Sequence, residues 1–232
     1  MAIVSTKIKR DQLKPGDHVF SWRELYVYAH HAIYVGDGKL IHFTVAANRE
    51  IGSGTVSSNF GSTSSSRYAA FPCPICGYHS RLGGVVSTCI DCFLYGGDLY
   101  LFKYGVSMAE LLANPRSATV CTLASSDPSE VVLHRAFYLL ENGFGAYDLF
   151  EKNCIDFALY CKTGLIVLPG AQRSVLSLLA LAVAALSTIP LGNFGFAVSV
   201  YGTYRVIRLA HDIGFRDDAT KIEVEELVRR FP

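Results

Sequence analysis

The segment from Leu25 to Val45 constrains the fold most, because it contains two strand-like runs separated by a tight turn. The first run, L-Y-V-Y-A-H-H-A-I-Y-V, is rich in aromatic and β-branched residues, and the second reads K-L-I-H-F-T-V. Gly36-Asp37-Gly38 lies between them. Two such runs joined across an Asp-Gly step predict a β-hairpin. We therefore expect an antiparallel sheet.

Other segments predict the elements around this hairpin. Asp17 to Trp22 follows the turn L-K-P-G and is expected to form a short strand, and Asp98 to Tyr104 alternates as a strand of the same sheet does. Asp127-Pro128-Ser129-Glu130 is a typical helix start, and Gly143 stops the helix after Asn142.

The hairpin carries His30, His31 and His42, and its register decides which two share a face of the sheet. Because strand side chains alternate, His30 and His31 point to opposite faces. A two-residue Asp37-Gly38 loop would place His42 opposite Ile33, on the His31 face. A three-residue loop with a bulge would place it on the His30 face. Turn chemistry leaves both registers open.

A cysteine lies at the start of a predicted helix in the stretch Lys152 to Gly164, K-N-C-I-D-F-A-L-Y-C-K-T-G. Asn153 is a favoured N-cap residue and Gly164 a favoured stop. Cys154 then lies in the first turn, where unpaired N–H groups and the helix dipole favour a thiolate. This placement predicts a nucleophile, provided that a base lies nearby. Cys161, at the other end of the helix, is expected to be a packing residue.

Four of the seven cysteines form two C-x-x-C pairs, Cys73 with Cys76 and Cys89 with Cys92. Two such pairs separated by 12 residues can close a tetrahedral thiolate site. We expect a structural zinc ion on a small insert over residues 72–93. Four thiolates leave no open coordination position, so no cofactor for catalysis is expected.

The chain carries no charged residue at the 31 positions between Arg173 and Arg205. Such a run exceeds the roughly 20 residues that cross a bilayer, but Pro190, Gly192 and Gly195 interrupt it. A membrane-dipping helical hairpin, a re-entrant segment and a buried helical pair all fit this pattern. We expect membrane attachment through this segment. Residues 211–232 are expected to form a short amphipathic, solvated tail.

Composition excludes some classes of function. A net charge of +1, without a basic block, gives no case for nucleic acid as the main partner. The N-terminus lacks the apolar run of a signal peptide. An odd number of cysteines argues against a disulfide framework, so we expect an intracellular, cytoplasmic protein that associates with membranes.

Three motifs in this order resemble the lecithin:retinol acyltransferase-like family, and most closely its plant branch of NC-domain proteins. They are L-K-P-G-D-H-V from Leu13, H-H-A-I-Y-V-G-D-G-K-L-I-H from His30 and N-C-I-D-F-A from Asn153. The family consists of thiol acyltransferases and phospholipases that are circularly permuted relatives of NlpC-type cysteine peptidases. The resemblance covers about Leu13 to Gly164.

The resemblance implies a catalytic site of His30, His42 and Cys154. His30 would deprotonate Cys154 and His42 would orient the His30 ring, which selects the bulged register of the hairpin. His31 occupies a position that is often aromatic in relatives and is expected to be a bystander. Ile155 replaces a glutamate that is common in the family, which affects the electrostatics near the nucleophile or the choice of substrate.

We therefore predict an α+β fold of the permuted papain or NlpC type, with an antiparallel sheet packed against helices. Residues 1–170 would form the catalytic domain, 171–210 a hydrophobic segment and 211–232 the tail. The expected function is acyl transfer or hydrolysis on lipid esters. The alternatives are a catalytically idle membrane-associated scaffold and a cysteine peptidase or isopeptidase.

Overall fold

The computed structural model describes residues 6–23, 28–45, 71–79, 82–113, 120–148, 152–167, 175–189 and 192–230. Their architecture is α+β, as predicted, and is built on a six-stranded sheet with the order β1-β6-β2-β3-β4-β5. Every pair of neighbouring strands in it is antiparallel. The strands are β1 (Thr6–Lys7), β2 (His18–Arg23), β3 (Tyr28–Gly36), β4 (Lys39–Thr44), β5 (Gly84–Cys89) and β6 (Tyr100–Leu101).

The remaining elements are mainly helical. A short two-stranded sheet pairs β7 (Leu165–Val167) with β8 (Ala219–Lys221). The helices are α1 (Ile90–Leu94), α2 (Met108–Ala113), α3 (Ser129–Asn142), α4 (Cys154–Thr163), α5 (Val175–Ser187), α6 (Asn193–Ala210) and α7 (Val224–Arg230), with a 3-10 turn at Arg10–Gln12. Helix α3 ends at Asn142 as predicted, and it begins at Ser129, within the predicted start Asp127-Pro128-Ser129-Glu130.

The chain divides into two compact units. The sheet unit comprises Ser5–Phe102, Asp127–Gly164 and Ile222–Pro232, and therefore contains the whole six-stranded sheet with α1, α3, α4 and α7. The second unit comprises Met1–Val4, Lys103–Ser126 and Leu165–Lys221, and contains α2, α5, α6 and the two-stranded sheet.

The β3–β4 hairpin has a two-residue loop and a bulge. Asp37 (φ 49°) and Gly38 (φ 67°) both have left-handed backbones, as a type I′ turn requires. Gly36 pairs with Lys39, but Tyr34 pairs with Leu40, so Val35 is the extra residue of a bulge. The predicted three-residue loop is therefore wrong, because the turn residues themselves accept the tight loop. The bulge still places His42 on the His30 side of the sheet.

Each side of the sheet is covered by a different helix. On the side that carries His30, which we call the His30 side, Ala32 and Leu40 pack with Phe93 of α1 in one buried cluster. On the opposite or His31 side, Phe43 contacts Phe144, which in turn contacts Phe157 of α4, with ring centroids 5.4 and 5.6 Å apart. Both sides are therefore closed by apolar packing.

The charge-free run forms two helices, α5 and α6, that pack against each other in the second unit. Arg205 at the end of the run donates to the carbonyl of Leu111 in α2 at 2.9 Å. Among the described residues, no helix combines the length and the apolar character needed to cross a membrane. A single spanning helix is therefore absent from the described part of the chain.

The C-terminal helix α7 is packed against the sheet unit instead of lying free in solvent. Val224 and Leu227, one turn apart, are 1% and 2% exposed. The hydroxyl of Tyr160 in α4 donates to the carbonyl of Ile222 at 2.9 Å. The predicted solvated tail is wrong, since one narrow apolar stripe is enough to dock a helix of 7 residues.

Candidate functional site

Helix α4 begins at Cys154 and ends at Thr163, as predicted from its caps. The side chain of Asn153 accepts the N–H of Ile155 at 3.0 Å, and Asp156 accepts the N–H of Asn153 at 2.9 Å. Gly164 closes the helix with a left-handed backbone at φ 69°. Because Asn153 and Asp156 form the cap, Ile155 in place of a glutamate leaves it intact.

The thiol of Cys154 lies against the edge of β3. Its sulfur is 3.8 Å from the carbonyl oxygen of Ala29, the residue that precedes His30, and it accepts the backbone N–H of His31. Strand carbonyl and N–H groups point along the plane of a sheet, between its two faces. The sulfur therefore lies at the strand edge, although the body of α4 packs on the His31 side.

Burial keeps Cys154 protonated. The residue is 6% exposed, and burial raises the pKa of its thiol to about 11, although backbone N–H groups, that of His31 foremost, oppose this shift. The helix N-terminus favours a thiolate, but the desolvation of a charged sulfur outweighs it, so the resting side chain is a neutral thiol. A base must remove the proton during any reaction.

Tyr147 is a further neighbour of Cys154 that sequence reasoning missed. Its side chain hydrogen-bonds Cys154, and its ring centroid lies 5.0 Å from that of Phe43. Burial raises the pKa of this phenol, so it is a neutral group. The segment before α4 contains several aromatic residues, and no sequence pattern distinguishes Tyr147 from the others.

His30 and His42 form a hydrogen-bonded pair on the His30 side. Nε2 of His30 lies 3.0 Å from Nδ1 of His42, and Nε2 of His42 lies 3.2 Å from Oγ1 of Thr88 on β5. The three side chains form a chain across β3, β4 and β5. Among the described contacts none engages Nδ1 of His30, the other nitrogen of this ring.

Both histidines are neutral at physiological pH. Burial is the main cause that lowers the pKa of His30 well below 6.5 and that of His42 to about 3, and their mutual repulsion lowers that of His30 further. A neutral imidazole can accept a proton from a thiol. The site therefore combines a neutral thiol with a neutral base instead of a preformed ion pair.

The thiol of Cys154 lies beside the backbone of the two residues that flank His30 in β3, but it does not contact the His30 imidazole through a described hydrogen bond. Cys154 contacts Ala29 and the N–H of His31, which flank His30 in β3. Within the described residues, no hydrogen bond links the thiol to the imidazole of His30. The pairing of His30 with His42 is observed, whereas a working contact between His30 and Cys154 remains a prediction.

His31 is a member of a second histidine pair that sequence reasoning did not identify. Its Nδ1 lies 2.9 Å from Nε2 of His18, and both residues are 1% exposed. The His18 ring stacks on Phe102 with centroids 4.3 Å apart. The predicted bystander is thus a buried structural residue, and only the register of β2 against β3 could have revealed its partner.

The four cysteines of the two C-x-x-C pairs come together in the sheet unit. The sulfurs of Cys73, Cys76, Cys89 and Cys92 all lie within 4.8 Å of one another, and those of Cys76 and Cys92 are 3.7 Å apart. Four sulfurs around a zinc ion at about 2.3 Å stand roughly 3.8 Å apart. The cluster therefore has the donor set and spacing of a metal site.

Backbone groups already polarise this cluster. The N–H of Cys76, and next that of Ile75, bond to the sulfur of Cys73 and lower the pKa of its thiol to about 7. Metal ions bind the deprotonated form of cysteine. Burial raises the thiol pKa values of Cys89 and Cys92, so among these three thiols Cys73 is the one set toward the thiolate before a metal binds.

Comparison with known proteins places these features in a family. The family model for lecithin retinol acyltransferase matches residues 11–167. The chain is also 46% identical over 239 residues to Protein LEAD-SENSITIVE 1 of Arabidopsis thaliana, an alignment that covers 99% of this chain and 92% of the relative.

The matched residues include the bulged hairpin with His30 and His42 and the helix start at Cys154. Both comparisons agree with the resemblance that the sequence motifs indicate. The chain therefore belongs to the lecithin retinol acyltransferase family.

Proposed function

We propose that the protein transfers or hydrolyses acyl groups of lipid esters, with Cys154 as the nucleophile and His30 as the general base. The observation that carries this proposal is the chain of hydrogen bonds from Thr88 through His42 to His30, at 3.2 and 3.0 Å. It reaches the β3 segment that holds the Cys154 thiol. Family membership supports acyl chemistry in general terms.

The direction of the hydrogen bonds defines the role of each group. The proposed mechanism uses the tautomers in which Nε2–H of His42 donates to Oγ1 of Thr88 and Nδ1 of His42 accepts from Nε2–H of His30. This tautomer leaves a lone pair on Nδ1 of His30. His30 is then the base, and His42 and Thr88 are positioning residues.

The reaction proceeds in two balanced halves. Nδ1 of His30 takes the thiol proton as the sulfur of Cys154 attacks the ester carbonyl carbon, and the oxyanion collapses with cleavage of the C–O bond. The imidazolium protonates the departing alkoxide, leaving an acyl thioester. Water, an alcohol or an amine then attacks the thioester and loses its proton to His30. The sulfur leaves and recovers that proton.

Detection of the acyl thioester tests this function. Purified protein is incubated with a phospholipid that carries a labelled acyl chain, and the mass gain on the Cys154 peptide is measured. We expect a hydroxylamine-sensitive adduct in the wild type and none in Cys154→Ala. Cys161→Ala is the matched control, since Cys161 lies in the same helix and is fully buried.

A catalytically idle scaffold is the second candidate. The buried, protonated thiol and the absence of a described hydrogen bond to His30 favour it. Failure of the correctly folded protein to form an adduct with any lipid ester would favour the scaffold hypothesis over the acyl-transfer hypothesis. Cleavage of peptide reporters in the same assay would instead indicate a peptidase.

We propose that the four cysteines hold one structural zinc ion, because their spacing fits a closed tetrahedral site. Metal analysis of purified protein should give about one zinc per chain, since one set of four sulfurs binds one ion. Replacing Cys73 and Cys76 by serine should remove it. A folded wild-type protein without metal would contradict this proposal.

We also propose that α5 and α6 attach the protein to a membrane surface. Leu181, Phe194, Val198 and Tyr201 are 68%, 84%, 54% and 53% exposed in a segment without charges before Arg205. Exposed apolar side chains on helices favour contact with lipid. Flotation with phospholipid vesicles should be lost in Phe194→Ser/Val198→Ser, and an unchanged fraction would contradict it.

A further inference from the structure

Phe93 connects the cysteine cluster to the His30–His42 pair, because it is next to a cluster residue in the chain and its ring contacts both imidazoles. Cys92 is followed directly by Phe93, which is 2% exposed. The ring of Phe93 stacks on His30 with centroids 5.4 Å apart and an interplanar angle of 28°, and it lies 5.5 Å from the ring of His42. One side chain beside a cluster position thus supports both imidazoles.

Two other cluster positions also adjoin residues that contact His42. Tyr78, two residues after Cys76, has its ring centroid 6.2 Å from that of His42. Thr88 directly precedes Cys89, and its Oγ1 lies 3.2 Å from Nε2 of His42. Three of the four ligand positions therefore lead within two residues to a side chain that touches the histidine pair.

From this geometry we propose that the metal bound by the four cysteines is a positioning device for the His30–His42 pair. Closing the site fixes Phe93, Tyr78 and Thr88 relative to one another, and these three side chains hold the two rings. The ion touches neither substrate nor imidazole. The inference rests on the proposed zinc site and gives that site a role in the proposed acyl chemistry.

Local structure alone holds these segments weakly. Helix α1 has only 5 residues, too few to be stable by itself. The segment from Cys73 to Tyr78 is closed by two backbone hydrogen bonds, from N of Cys73 to O of Tyr78 and from N of Gly77 to O of Cys73, each of 2.8 Å. A metal ion bound by all four cysteines would join α1 to this segment across the intervening strand β5.

Removal of the metal should loosen the contacts of Phe93, Tyr78 and Thr88 with the two imidazoles, but it should not detach α1 from the sheet. Arg23 of β2 donates to the carbonyls of Phe93 and Leu94, the latter at 2.6 Å. Leu94 and Phe93 also belong to the buried cluster with Ala32 and Leu40. These contacts keep α1 on the sheet when the cysteines are free, so the expected change is local to the histidine rings.

The His18–His31 pair on the opposite side provides an internal control. It has nearly the same geometry, with nitrogen atoms 2.9 Å apart, but its rings contact Phe102 and Phe20. These two ring partners, Phe102 and Phe20, lie outside the segments that carry the four cysteines. A specific positioning effect must therefore distinguish the two pairs.

The test is an NMR comparison of zinc-loaded full-length protein with protein treated with a chelator. Ring C–H signals of ¹³C-labelled histidines are assigned by single His→Gln variants. We expect the signals of His30 and His42 to shift or broaden on metal removal and to return when zinc is added, while those of His18 and His31 stay unchanged. Equal change in both pairs, or none in either, overturns the proposal.

Two phenylalanine variants sharpen the test with zinc bound. Phe93→Leu should move the signals of His30 and His42, whereas Phe102→Leu should move those of His18 and His31. Ile75→Ala, at a side chain that is 75% exposed between two ligand positions, should move neither pair. Movement of the same signals by Phe93→Leu and by Ile75→Ala overturns the assigned path.

The NMR result does not depend on catalysis. If no acyl adduct forms but the His30 and His42 signals respond to zinc, the acyl function fails and the positioning role stands. If the adduct forms at an unchanged rate without zinc and the signals do not respond, the positioning role fails alone. Where both hold, chelation should lower the rate of adduct formation on Cys154.

Discussion

Two histidine pairs lie on opposite sides of β3, and their surroundings separate a candidate catalytic pair from a structural one. His30 and His31 are consecutive in β3, and each bonds a second histidine at 3.0 and 2.9 Å. The geometry of the pair is therefore not diagnostic. What differs is the rest of the environment.

The His18–His31 pair is enclosed by aromatic rings, whereas the His30–His42 pair is hydrogen-bonded to a side chain on the next strand. His18 and His31 are both 1% exposed and lie among Phe20 and Phe102. His30 is only partly buried, and its partner His42 reaches a hydroxyl on the next strand. A base needs a nitrogen available to substrate and a second group that fixes its tautomer, and the His30–His42 pair offers both.

Replacing each β3 histidine by glutamine should separate the two pairs most strongly. His30→Gln should lower the rate of adduct formation on Cys154 by about 10²- to 10⁴-fold, the usual contribution of a general base. His31→Gln should reduce thermal stability but leave the rate per folded molecule near that of the wild type. Equal rate losses in both variants would remove the functional distinction between the pairs.

Acid should destabilise the fold through the buried histidines of both pairs. Burial is the main cause that lowers the pKa of both His31 and His42 to about 3. Each of these histidines binds a proton near pH 6.5 in the unfolded chain but only near pH 3 in the folded protein. Its contribution to the free energy of unfolding is therefore fully present above pH 6.5 and is lost as the pH falls toward 3. At pH 5 each such histidine costs about 2 kcal/mol of unfolding free energy.

Denaturant unfolding at pH 7 and pH 5 measures this effect. His31→Phe should reduce the difference between the two pH values by about 2 kcal/mol, because phenylalanine carries no titrating group. Leu139→Ala, at a fully buried side chain of α3, should lower stability equally at both pH values. An unchanged pH dependence in His31→Phe would show that this histidine is not held neutral by the fold.

Thr88 should have the smallest of these effects, and one confined to the His30–His42 pair. Thr88→Val removes the acceptor for Nε2–H of His42, so the tautomer of the pair is no longer fixed. We expect a roughly tenfold loss of rate, equivalent to one unsatisfied buried donor. Thr88→Ser should restore the rate, and equal losses in valine and serine variants would contradict this role.

The sequence predicts elements that depend on local chemistry. The caps at Asn153 and Gly164 bound α4 correctly, and the Asp37-Gly38 step gives the hairpin. The spacing of the two C-x-x-C pairs also predicts a cluster whose sulfurs lie within 4.8 Å. In each case the signal and the structure lie in neighbouring residues or in a donor set of known geometry.

Features that depend on distant packing were not predicted. The hydrogen bond between His18 and His31 depends on the register of β2 against β3. The protonated state of Cys154 depends on how deeply its side chain is buried. The docking of α7 through Val224 depends on a surface that no local pattern specifies. Burial and strand register are properties of the assembled unit, so single-sequence patterns do not contain them.

The burial of the Cys154 thiol beside the main chain of β3 has a consequence for oxidative damage. With a pKa that burial raises to about 11, only about one sulfur in ten thousand is ionised at pH 7, and peroxide attacks the ionised form. The same burial that makes a general base necessary for catalysis therefore protects the nucleophile candidate from oxidants at rest.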